Sequence, residues 1–353
     1  MDQVQKNDYF GRKKTVVSYI LAVLILCIHC AAFSNYEGFT ESANFLTVIC
    51  VFIRSVVANV AVPLFFIISG ALFYRNFTPD KYLAKLKSRF FTLVIPYLIW
   101  NTVWLVFDLI MSYTPLNKFV SGRELTYLSP RSIFVGIFHY ENNGAFWFVF
   151  ALIVFTLISP LIYLLVKNKY VGYSAIAVLI VLAYFNIGLP ESLFFSKFCP
   201  VYYLTGALIG KHYFKAFSTK QIGGPVRALS LLGIAVSLVN ESLIKYLKLD
   251  FAKRIEPLVL IIFALSLWFA FDMVADHVKP RAFHTRSFMV YAMHVNICAI
   301  IGKLLYFVMP KSVAFAPVDY ILTVILTLAV IEVFCLILKK LLPMVYSVVS
   351  GSR

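Results

Sequence analysis

Three ionisable side chains, His29, Arg54 and His294, stand inside stretches that are otherwise almost wholly apolar. Where such stretches cross a membrane, an ionisable group within them is costly and normally faces the bundle interior or a water-filled cavity. Each of the three is therefore a candidate for function. A neutral imidazole at His29 or His294 can take a proton from an attacking hydroxyl, so either can serve as a general base. A histidine that only hydrogen-bonds a neighbouring helix fits the same positions. Arg54 can bind an anionic group or stabilise the charge of an oxyanion, or it can pair with a carboxylate or carbonyl for structure alone. Other polar residues in these stretches are Asn59, Asn101, Asp108, Asn240, Glu241, Glu256, Asp272, Asn296, Lys303 and Glu332. Of these, Asp108, Glu241, Glu256, Asp272 and Lys303 fall near the ends of the runs, where the side chain is expected to reach water.

The elements that must position these groups follow from composition. Of 353 residues, 61% are hydrophobic and 14% charged, and the mean hydropathy is +0.86. A soluble domain of this size has no way to hide so much apolar surface. A helix that crosses the hydrocarbon core needs about 20 mostly apolar residues, because its backbone groups must be satisfied without water. Such helices are predicted over 15–33, 48–73, 90–111, 146–166, 173–189, 200–210, 226–246, 255–275, 287–309 and 319–338. The fold class is all-α, a polytopic membrane protein with about ten transmembrane helices in one bundle. The sixth run, starting at Pro200, crosses only if Leu193, Phe194 and Phe195 extend it or if it is tilted against neighbours. Nine or eleven spans are the alternatives. The short apolar piece 131–140 fits a helix at the interface or dipping into it. The layout is a tail 1–14, a transmembrane domain 15–341 with a long outer loop over about 112–145, and a tail 342–353.

Basic residues set the orientation, since Lys and Arg near span ends are retained in the cytoplasm. An inside start places there Arg12, Lys13 and Lys14, then Arg75, Lys81, Lys85, Lys87 and Arg89, and later Lys215, Arg281, Lys339 and Lys340. Both termini are thus expected in the cytoplasm of a multi-pass protein of the cell membrane. The outer segment 247–254, with Lys248, Lys253 and Arg254, runs against the trend. The net charge of +16 is dispersed over loops that frame apolar spans. That pattern fits anionic membrane lipids as partners and argues against nucleic acid. The N-terminus has the outline of a signal peptide, but the further spans favour a first transmembrane helix. The six cysteines lie within or beside spans. Cys27 and Cys30 have no second cluster to complete a zinc site, so no metal is expected and apolar packing is the better reading.

Several pieces in order carry a resemblance. They are His29 in the first span, Val62-Pro63-Leu64-Phe65-Phe66-Ile67-Ile68-Ser69-Gly70 closing the second, and Arg89 followed by Ile95-Pro96-Tyr97-Leu98-Ile99-Trp100 in the third. Phe146-Trp147-Phe148 opens the fourth, Tyr203-Leu204-Thr205-Gly206 lies in the sixth, and Ser287 leads through Tyr291 to His294 in the ninth. Over most of its length the chain resembles the acyltransferase 3 family. The resemblance implies an enzyme that moves an acyl group, usually acetyl, from cytoplasmic acyl-CoA to a hydroxyl of a glycan or other acceptor at the cell envelope. Acyl-CoA would be a co-substrate, with no bound cofactor. His29 matches the first-span histidine on which the family's catalysis depends. An acyl thioester is already activated, so the protein must supply positioning, a base and donors for the oxyanion. Arg89, with its basic neighbours, is the candidate for the CoA phosphates. Ser69, Trp147, Tyr291 and His294 are candidates for lining the acyl or acceptor passage.

Family members commonly carry an Arg eleven residues before that histidine, where this chain has Ser18. A non-catalytic relative is therefore one alternative. A transporter or flippase is another, with Arg54, His29 and His294 along a substrate path. Against it, the sequence has no duplicated half and no matched pair of broken helices.

Overall fold

The computed structural model describes residues 3–114, 129–188 and 198–351. Among them the regular elements are helices, and one isolated bridge joins Glu37 to Ser312. In chain order they are α1 (Gln3–His29), α2 (Phe45–Phe52), α3 (Ala61–Tyr74), α4 (Tyr82–Arg89), α5 (Ile95–Ser112), α6 (Pro130–Phe138), α7 (Trp147–Leu157) and α8 (Ser159–Val166). They continue as α9 (Lys169–Tyr184), α10 (Cys199–Leu208), α11 (Phe214–Ser218), α12 (Gly224–Leu247), α13 (Asp250–Ala270), α14 (Ser287–Val308), α15 (Ala316–Leu341) and α16 (Pro343–Val349). Several join end to end through π or 3-10 turns. Seven of the resulting helices are long and apolar enough to cross a membrane: Tyr9–Asn35, Phe45–Tyr74, Pro79–Ser112, Gly224–Leu247, Asp250–Met273, Ala282–Val308 and Val313–Leu341. The protein is an all-α, polytopic membrane protein.

The predicted fourth span is broken, with α7 and α8 meeting at 72°. Pro160, in the first turn of α8, has no N–H to continue the ladder from α7. The fifth and sixth runs form the 16-residue α9 and the 10-residue α10. The proposed extension of the sixth through Leu193 to Phe195 lies outside the described residues, as do residues 115–128 of the loop predicted over about 112–145. The apolar piece near 131–140 is α6, started by a capping box between Ser129 and Ser132. Described residues near both ends are partly buried. Tyr9, Phe10 and Lys13 are buried, and α16 contributes the buried Tyr346 and Val349.

Contacts divide the chain into two compact units. Unit 1 comprises Met1–Leu24, Ile53–Lys85 and Phe155–Thr285; unit 2 comprises Ile25–Phe52, Leu86–Val154 and Arg286–Arg353.

Unit 1 is centred on α3 against α10, whose backbones touch. A Cβ on Gly70 would stand 2.5 Å from the carbonyl oxygen of Tyr203, and one on Gly206 would clash with the backbone of Ile67. The Ser69-Gly70 and Thr205-Gly206 motifs therefore mark close helix packing of the small-residue kind found in membranes. Three carboxylates expected to reach water are buried instead, two of them in this unit. Glu241 accepts from Asn59 Nδ2 at 2.7 Å. Asp272 accepts from Lys13 Nζ and Tyr9 Oη, both at 2.5 Å, and from the Gln221 N–H at 3.0 Å. Lys13 Nζ also lies 4.2 Å from the centre of the Trp268 ring.

Unit 2 pairs α14 with α15. Arg286 at the foot of α14 meets Glu332. The hydroxyl of Tyr36 donates to Asp319 Oδ2 at 2.9 Å, and that of Tyr320 to the Cys27 carbonyl at 3.2 Å. The third buried carboxylate, Asp108 on α5, accepts from Asn142 Nδ2 at 2.9 Å. Trp100 Nε1 donates to the Val349 carbonyl at 3.0 Å, which ties α16 to α5. The Glu37 N–H donates to the Lys311 carbonyl at 3.2 Å, so two loops predicted on one side of the membrane meet.

Candidate active site

Two of the three ionisable candidates come together in unit 2. His29 is the last residue of α1, and its side chain is exposed. Seven residues into α14, His294 is completely buried, at 0% exposure. The two imidazole rings lie 5.1 Å apart, centre to centre, at 61°. Sequence order gave no sign of this pairing; each histidine stood out by itself, as a polar residue in an apolar run and as a piece of the family-like order.

Tyr291, His294 and Cys298 recur at helical spacing, three and four residues apart, and so share one face of α14. The Tyr291 hydroxyl donates to the Ala145 carbonyl. Its ring packs 5.7 Å from Phe146, 5.9 Å from Phe148 and 6.0 Å from His294. Cys298 Sγ lies 3.3 Å from the Val295 carbonyl and 3.7 Å from that of His29. Among the described residues all six cysteines are free thiols, and no three His, Cys, Asp or Glu side chains converge as a metal-ligand set.

Two supports of this face were not among the sequence candidates. The carbonyl of Ala292 accepts both Trp104 Nε1 and Asn143 Nδ2 at 3.0 Å. Asn143 belongs to the polar run Glu141-Asn142-Asn143-Gly144, at the end of the connection predicted over about 112–145. In the fold the run braces α14 beside His294, through Asn143 and the Ala145 carbonyl, and is held in turn by Asp108. The length of the connection, predicted to lie outside, was the signal for it.

The remaining candidates are more dispersed. Trp147 is half-buried at the start of α7, beside Phe148 at 6.4 Å. Half-buried Arg89 ends α4, just before the π turn Phe90–Val94. Arg54 and Ser69 belong to unit 1, Arg54 in the π turn Ile53–Val57 and Ser69 beside the packing glycine Gly70. π turns within helices recur at functional sites. Lys13, in the basic run Arg12-Lys13-Lys14, is committed to the buried pair with Asp272.

A family profile described as an acyltransferase domain matches residues 18–339. The chain is also similar to the succinoglycan biosynthesis protein ExoH of Rhizobium meliloti (strain 1021), at 23% identity over 336 residues, covering 93% of this chain and 89% of that protein. No solved structure matches it. The order of motifs, the helical membrane architecture and a match over nearly the whole length agree, and the chain belongs to the acyltransferase 3 family.

Proposed function

We propose that this membrane acyltransferase takes an acyl group, acetyl in the simplest case, from cytoplasmic acyl-CoA and places it on a hydroxyl of a glycan of the cell envelope. The observation that carries the proposal is the exposed His29 backed by the buried His294 inside the matched domain. The relative's part in succinoglycan biosynthesis supports a carbohydrate acceptor. In the proposed step, His29 takes the proton of the acceptor hydroxyl, whose oxygen attacks the thioester carbonyl. The C–S bond breaks, and the CoA thiolate leaves with the proton that His29 held. The decisive experiment incubates the purified protein in bilayers with labelled acetyl-CoA and candidate polysaccharides. CoA release that depends on both acceptor and His29 is expected; acceptor movement without CoA release would favour the transporter.

Arg89 is assigned to the donor. Arg89→Ala should raise the KM for acyl-CoA several-fold with little change in kcat, as loss of a charge-assisted phosphate contact does. A loss wholly in kcat would place Arg89 elsewhere in the mechanism.

The proposed orientation has both termini in the cytoplasm and the protein in the cell membrane. Cysteines introduced at the exposed Glu37 and Glu141 should react with an impermeant thiol reagent from outside, and those at the exposed Lys215 and Arg281 only from inside. Asn143 is unsuitable because it is buried against α14. Outside labelling at Arg281 would reverse the arrangement.

A further inference from the structure

We propose that His294 is a positioning residue that fixes the ring of His29 for its task as base; the proposal rests on the reading of His29 given above. A carbonyl oxygen can only accept, so His294 Nδ1, 2.7 Å from the Tyr291 carbonyl and 3.2 Å from that of Val290, carries the ring proton. In the neutral ring the lone pair is thereby confined to Nε2. That atom is buried and has no hydrogen-bond partner among the described residues. A buried acceptor of this kind is costly unless a donor meets it. The ring at hand is His29, 5.1 Å away centre to centre. An N–H···N bond of about 2.9 Å between two imidazoles puts their centres about 5 Å apart, so the spacing lets the two nitrogens meet once the His29 ring turns.

In the proposed arrangement the exposed His29 ring is turned so that the N–H of one nitrogen meets His294 Nε2. The other nitrogen of His29 then bears the lone pair and faces away from the buried ring, where the proposed function needs it for the acceptor hydroxyl. This is the arrangement of a base held by a third group, with an imidazole in the place often taken by a carboxylate. His294 is itself held by the Tyr291 carbonyl, and the next carbonyl, Ala292, is clamped by Trp104 and Asn143. The proton count closes without consuming His294. One proton passes from the hydroxyl to His29 and then to the thiolate, while His294 keeps its Nδ1 proton throughout.

The test compares His294→Gln with His294→Met in the acetyl-CoA assay. The two replacements are unbranched and similar in size, but only Gln offers an oxygen acceptor near the position of Nε2. Gln is expected to keep kcat within about tenfold of wild type and Met to lose about 100-fold, with the KM for acetyl-CoA unchanged in both. Equal kcat values for Gln and Met would overturn the positioning role, as would an effect confined to the acceptor KM. His29→Gln, measured alongside, separates the two claims. If it is active, the base assignment falls and this proposal with it. If it is inactive while Gln and Met at 294 are equal, only the positioning role falls.

Discussion

His29→Ala is expected to lower kcat for acyl transfer by about 100-fold to 10,000-fold, the range associated with a positioned general base. That corresponds to about 3 to 5 kcal/mol of transition-state stabilisation. Folding and acyl-CoA binding should survive. His29 is exposed at the end of α1, so truncating it opens no cavity in a packed core. His29→Gln should be equally inactive, because an amide can hydrogen-bond but cannot accept a proton at useful pH. The base must be unprotonated to act, so kcat/KM of the wild type should fall on the acid side. An active Gln variant would leave His29 an orienting residue. The base would then have to be sought at His294 or among outer-loop carboxylates such as the exposed Glu141.

How much of this was legible depended on whether a signal was local. Long apolar runs are local, and the described residues of every predicted run are mostly helical, the fourth as two helices, because a helix satisfies its own backbone in hydrocarbon. The bend at Pro160 was local as well, in a Ser-Pro step read through as one continuous span. His29 and His294 were each visible by chemistry, as polar residues in apolar surroundings. Their meeting was not visible, since most of the chain separates them. The same limit explains Asp108, Glu241 and Asp272. Near the end of a run, a carboxylate can reach water or find a donor, and here the donors come from Asn142, Asn59 and Lys13, all remote in sequence. Ser69 shows the opposite case. Its motif was visible, but Gly70 next to it packs tightly on α10, which gives the motif a structural reason of its own.

The buried pair of Lys13 and Asp272 supports the second large effect. Both side chains are essentially sealed from solvent, at 1% and 0% exposure, and Nζ meets Oδ1 at 2.5 Å. Removing either charge leaves the other buried without its counter-charge, a change that typically costs about 3 to 5 kcal/mol. Lys13→Met strands the carboxylate of Asp272 with, among the described residues, the Tyr9 hydroxyl and the Gln221 N–H as donors. Asp272→Asn keeps an oxygen that Tyr9 and Lys13 can share, but it sets an amide NH2 against the Gln221 N–H and leaves the Lys13 ammonium without a counter-charge, faced by the rings of Trp268 and Phe269, weak partners for a desolvated charge. Each single variant should therefore unfold at markedly lower temperature or denaturant concentration in detergent. The double variant carries no buried charge at this site and should recover most of the loss, to within about 1 or 2 kcal/mol of wild type. Unfolding of the purified wild type, both singles and the double completes the cycle. If the double loses the sum of the single losses, the pair is energetically uncoupled. Lys13 would then be a cytoplasmic topology residue of the ordinary kind, and α1 would owe its anchorage to the aromatic contacts of Phe10 with Phe214, Phe217 and Trp268.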